Sequence, residues 1–124
     1  MPFRTEIKPE FVLIEWYGVL SNQDLMALGM ELPRIGMELQ KVPNVLHTFE
    51  KVEDSKLQFE AMHAHGRALA RIKLPNRSRT ASVCTSPLAF GMARMMQSLN
   101  HNPDLQMEVF NTMEEALAWL RIPI

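Results

Sequence analysis

Arg79-Thr80-Ala81-Ser82-Val83-Cys84-Thr85-Ser86-Pro87 opens the stretch that decides the fold, and that stretch runs on to Leu120. Thr80 to Thr85 is short and rich in small and apolar residues, as a strand buried on both faces is. Ser86 in the N-cap position and Pro87 at the first helical position then start a helix. Its apolar stripe is Leu88, Met92, Met95, Met96 and Leu99. After a turn from Asn100 to Asp104, Leu105, Met107 and Val109 alternate with Gln106 and Glu108 as a second strand. Thr112 and Glu115 are spaced as a capping box, and Met113, Ala116, Leu117 and Leu120 line a last helix. Two strand–helix units in succession predict a layered α/β sheet.

The upstream sequence extends this pattern. Phe11 to Tyr17 is apolar on both parities, so it predicts a central strand. Phe3 to Lys8 predicts an edge strand beside it, with Pro9 in the turn. Ser21 and Asp24 cap a helix in which Leu25, Leu28, Leu32, Ile35 and Leu39 recur at helical spacing. Pro33 inside it predicts a kink or two shorter helices. Val45 to Phe49 predicts a short strand, Glu50 to Ser55 a polar loop, and Lys56 to Ile72 an amphipathic helix stopped by Leu74-Pro75-Asn76. Its inward face is Ala61, Met62, His65, Ala68, Leu69 and Ile72; Glu60, His63, Arg67 and Arg71 lie opposite.

With 124 residues, 47% of them apolar, the chain predicts one domain with an ordinary core over 1–124. No apolar run has the length of a membrane span, Met1 to Arg4 begins no signal-peptide core, and the single Cys84 excludes an internal disulfide. The expected location is cytoplasmic. The net charge of −1 hides an asymmetry: residues 61–103 carry no Asp or Glu but six bases, five of them within Arg67, Arg71, Lys73, Arg77 and Arg79. Such a run suits an anionic surface, a peripheral membrane among them. A solvated helix end, favoured by the helix dipole, is the plainer account. One basic segment at a pI of about 6.4 argues against specific nucleic-acid binding.

Few residues have the pattern of a reaction centre. His63 and His65 point to opposite sides of a helix, and His47 and His101 lie elsewhere, so no metal site is expected. Cys84 lacks a base in the sequence to activate it and reads as a small buried residue. Thr85 and Ser86 are the best candidate for binding. They stand where a strand's carboxyl end meets a helix N-terminus, which favours an anion. Met26, Met30 and Met37 on the first long helix are candidates to line an apolar pocket against the sheet, or a dimer face; core packing is the plainer reading.

The ending Glu108-Val109-Phe110-Asn111-Thr112-Met113-Glu114-Glu115-Ala116-Leu117-Ala118-Trp119-Leu120 resembles the closing strand and helix of the SpoIIAA-like proteins, small bacterial relatives of the STAS domain. Arg79 to Met96 is similar to that family's third strand–helix unit, and the order of elements agrees along nearly the whole chain. The resemblance implies a mixed, largely parallel sheet of four to five strands with about four helices. It also implies a regulatory or binding role without catalysis. In anti-sigma-factor antagonists a Ser at the helix start after the second core strand is phosphorylated. The nearest position is Ser55, but Lys56 replaces the second small hydroxyl residue and the usual glycine is missing. Ser55 as a plain helix N-cap is the alternative.

The expected function is therefore a non-enzymatic STAS-like domain. It would need no cofactor and would bind a protein partner or an apolar small molecule, with a homodimer as a further option. Peripheral membrane association through residues 67–79 is one alternative. A small hydrolase or transferase using Ser86 or Cys84 is another, and it lacks residues for the acid, base and oxyanion roles.

Overall fold

A computed structural model describes residues 2–123. The elements, in chain order, are β1 (Phe3–Ile7), β2 (Val12–Leu20), α1 (Asn22–Leu39), β3 (Val45–Ser55), α2 (Phe59–Ala70), β4 (Ser78–Val83), α3 (Pro87–Leu99), β5 (Leu105–Phe110) and α4 (Met113–Leu120). The strands form one sheet in sequence order, β1-β2-β3-β4-β5. Only β1 runs antiparallel to its neighbour; the other three pairings are parallel. This is the expected mixed, largely parallel α/β sheet with four helices.

Side-chain alternation divides the core between the two faces. Val12, Ile14, Trp16 and Val45 point to the face covered by α1, where Leu28 and Ile35 meet them. Leu46, Ala81 and Val83 point the other way, against Ala116 and Leu120 of α4. Neighbouring helices α1, α2 and α3 form one layer, and α4 alone packs on the opposite side over β4 and β5. Ile14, Leu20, Ile35 and Leu46 are fully buried, each contributing about 1.5–3 kcal/mol by removal from water.

Glycine sets how closely the helical layer packs. A Cβ on Gly66 of α2 would lie 2.6 Å from the Leu99 carbonyl oxygen of α3. On Gly29 of α1 it would meet the His65 ring at an ordinary 3.6 Å. Gly18, at φ +70, lets β2 continue past a register irregularity that few other residues would tolerate.

Four expectations change. The inward face of α3 is Ala89 and Ala93, while Leu88 and Met95 of the expected α3 stripe, and Met113 of the α4 stripe, are exposed. Pro33 does not divide α1, which is one helix of 18 residues; the Leu25, Leu28 and Ile35 face is held by the sheet on both sides of the proline. Glu50 to Ser55 is not a loop. It continues β3, paired with Tyr17 to Leu20 of β2 through two register shifts. Consequently α2 starts later, at Phe59, and ends at Ala70, leaving Ala68 and Ile72 exposed instead of inward.

Candidate functional site

All four parallel strands end on the same edge of the sheet, and each is followed by a helix N-terminus, capped at Ser21, Gln58, Ser86 and Thr112. The caps are largely self-satisfied. The Ser21 amide and hydroxyl both donate to Asp24 Oδ2, at 2.7 and 2.8 Å. Thr112 Oγ1 accepts the Glu115 amide and donates to the Glu115 carboxylate. Ser86 Oγ accepts the Ala89 amide at 3.1 Å. Only α1, α2 and α4 carry an acid in their first turn, so α3 keeps its dipole unanswered. Thr85 and Ser86 are exposed at that end.

Ser55 is not beside them. Thr48 is the last β3 residue paired with β4, opposite Val83. β3 then continues for seven residues to Ser55, roughly 20 Å along the strand. Ser55 and the Thr85–Ser86 pair thus stand in two separate places. Nor is Ser55 a helix cap: its Oγ accepts the Leu57 amide at 3.2 Å, while Gln58 is the N-cap of α2. Gln58 is held by Asn22 through a reciprocal pair, amide to Asn22 Oδ1 and Asn22 Nδ2 to Gln58 Oε1, both 3.0 Å.

Met26, Met30 and Met37 do not line a space between α1 and the sheet. They are 69%, 76% and 81% exposed, on the outer side of α1. The inner side belongs to the Leu25, Leu28 and Ile35 stripe. A helical wheel carries this signal. At 3.6 residues per turn the three methionines fall within about 40° of one another, nearly opposite that stripe. Arg34 bridges Glu31 and Glu38 beside them.

The basic segment also divides. Arg79 leaves it: its Nη1 donates to the Trp119 and Ile122 carbonyls at 2.9 and 2.7 Å, its Nε to Gln106 Oε1 at 2.9 Å, and its guanidinium lies 5.1 Å over the Trp119 ring. It clamps the end of α4 to β4 and is not a surface for a partner. Arg67, Arg71, Lys73 and Arg77 are exposed, and none has an ion pair among the described residues.

His65 is half-buried and Cys84 buried, as the sequence predicts, and the interior adds a contact between Trp16 and His47. His47 Nδ1 accepts the indole N–H of Trp16 at 3.0 Å, and the rings of Trp16, His47 and Phe49 stack. Burial, helped by the charge of His65, lowers the His47 pKa to about 4, and burial lowers His65 as well. Trp16 and His47 are 31 residues apart, and only strand pairing shows that they touch. Cys84 is buried against Ala89, Ala93 and Phe49, and desolvation pushes its thiol up to about 11. No thiolate nucleophile is available there at neutral pH. Among the described residues no three His, Cys, Asp or Glu gather as metal ligands, and no helix is long and apolar enough to cross a membrane. Two shallow clefts, of about 460 and 540 Å³, lie at Phe11, Leu117 and Leu120 and at Asn100 to Glu108, and neither is lined by Ser55, Thr85, Ser86 or the α1 methionines.

No protein-family model and no curated protein matches the chain. Solved structures do. An uncharacterised protein of the DUF3478 family with a SpoIIAA-like fold, from Shewanella loihica PV-4, has 15% identity, covers 95% of this chain and 91% of its own, and gives a TM-score of 0.54. The anti-sigma factor antagonist SpoIIAA in its unphosphorylated form has 17% identity over 96% of this chain and 97% of its own, at 0.54. The phosphorylated Bacillus cell fate determinant SpoIIAA has 20% identity over 96% and 99%, also at 0.54. By near-complete coverage at a TM-score of 0.54, this chain has the SpoIIAA-like fold.

Proposed function

We propose that this chain is a non-catalytic regulatory domain of the STAS type that holds a protein partner on the outer face of α1. The observation that carries the reading is the stripe of Met26, Met30 and Met37, three large apolar side chains left in water on one side of a helix. Clustered exposed apolar residues mark interaction surfaces, and methionine adapts its shape to the partner it meets. Arg34, beside the stripe, is already neutralised by Glu31 and Glu38 and so does not compete for an anionic partner. The fold likeness to SpoIIAA, described as an anti-sigma factor antagonist, supports action on another protein.

Control by phosphorylation at Ser55 is not part of this reading. Its hydroxyl caps a local turn, the α2 N-cap is a glutamine bound to Asn22, and Glu53 and Asp54 would repel added phosphate. The test is affinity capture with the wild-type chain and with Met30→Glu/Met37→Glu, compared by quantitative mass spectrometry. Both side chains are exposed, so the variant should melt as the wild type does. A specific partner retained by the wild type and lost by the double variant is expected. Equal retention by both proteins would remove α1 as the binding face.

A further inference from the structure

The edge of the sheet opposite the helix N-termini carries a second surface, independent of the α1 face. The α2–β4 loop, residues 71–77, is fixed at both ends. At its start the buried Asn102 donates through Nδ2 to the Leu69 and Ile72 carbonyls, both at 2.8 Å, closing the end of α2. At its finish Asn76 accepts the Val42 amide at 2.9 Å and donates to the Val42 carbonyl at 3.0 Å, tying the loop to the α1–β3 connection. On this held backbone stand Arg71, Lys73 and Arg77, with Arg67 one turn up α2 and Lys41 next to the tethered Val42. All five are exposed and without an ion pair among the described residues. Between Arg71 and Lys73, Ile72 is 52% exposed.

We infer that this rim docks on an anionic lipid bilayer, with the five cations against headgroups and Ile72 entering the acyl boundary. Charge alone would suit any polyanion. The isoleucine favours the bilayer over a purely charged polyanion such as a nucleic acid, because a bilayer offers an apolar phase behind its layer of negative charge. Each base near such a surface contributes roughly a fivefold increase in affinity. The loop is already ordered, so little conformational freedom is lost on docking. Exposed cations are screened over about 8 Å at physiological salt, so binding falls as salt rises.

Flotation of the full chain with vesicles tests this. Vesicles of phosphatidylcholine with about a third phosphatidylserine should carry the protein up at low salt, and pure phosphatidylcholine should not. Arg71→Glu/Arg77→Glu should abolish flotation. Ile72→Ser should weaken it several-fold while leaving retention on a heparin column unchanged, and Ile72→Trp should strengthen it. Ile72 is half in water, so these variants should keep the wild-type melting temperature. The inference is overturned by indifference to phosphatidylserine. It is also overturned if heparin retention is strong while Ile72→Ser leaves flotation unaltered, which would make the rim a general anion patch. Met30→Glu/Met37→Glu should float like the wild type, which separates this surface from the α1 face.

Discussion

Replacing Gly29, Gly66 and Gly91, three of the four helical glycines, one at a time by alanine should give effects of opposite sign, because these sites differ in what a methyl group meets. In a helix interior alanine is favoured over glycine by about 1 kcal/mol. Gly91 has nothing within 4 Å of an added Cβ, and at Gly29 the first contact is the His65 ring at 3.6 Å. Both substitutions should therefore stabilise the fold, by about 0.5–1 kcal/mol. At Gly66 the new Cβ lies 2.6 Å from the Leu99 carbonyl oxygen and 3.3 Å from Leu99 Cβ. The first of these is backbone, which cannot swing aside, so α2 and α3 must separate by about 0.7 Å to restore van der Waals distance. Overpacking of this kind costs about 1–3 kcal/mol, which outweighs the helix-propensity gain. A net loss centred on about 1 kcal/mol follows, read as a fall in melting temperature of about 3–6 °C. Urea titration with an unchanged m-value is the assay. Gly66→Ala equal to or above wild-type stability would refute the close α2–α3 approach.

Three further predictions follow from single residues. His47 titrates at about 4 in the fold and near 6.5 when unfolded, so the unfolded chain takes up more protons between those values. Stability held above pH 6.5 should fall by about 2 kcal/mol by pH 5, and His65 acts in the same direction. His47→Gln should flatten this slope in urea titrations, and a flat wild-type profile would count against a buried neutral imidazole. Arg79→Ala should cost about 1–2 kcal/mol through loss of the α4 clamp, and Arg79→Lys should restore little of it because a lysine cannot fork to two carbonyls; stability unchanged in urea would contradict the clamp. Cys84 in the native protein should react with a disulfide reagent at least a hundredfold more slowly than in urea, since it is buried with its thiol pushed up to about 11; rapid native labelling would refute its burial.

The parts legible in the sequence are those with one buried face. Thr80 to Leu120 gave its strands and helices correctly because Ser86-Pro87 and Thr112 to Glu115 mark helix starts by local chemistry. The leucine stripe placed α1 for the same reason. The far end of β3 was illegible. Glu50, Lys51, Glu53 and Asp54 are all exposed, so no apolar period marks them as strand, and only pairing with β2 defines them. That one extension separates Ser55 from Thr85 and Ser86. The clamp by Arg79 and the contact of Trp16 with His47 span 40 and 31 residues, distances over which local pattern carries no information. The outward set of α1 is legible on a helical wheel, where Met26, Met30 and Met37 fall opposite the leucine stripe, which leaves neither a pocket against the sheet nor core packing for them.

Hydrogen exchange of the chain alone and in complex with its captured partner tests the central claim most directly. Protection gained along α1, residues 22–39, with the loops at 55–58 and 84–87 unchanged, is the predicted result. New protection at those two loops, with α1 exchanging as it does in the free chain, would place binding at the helix N-termini and contradict the assignment of the methionine face.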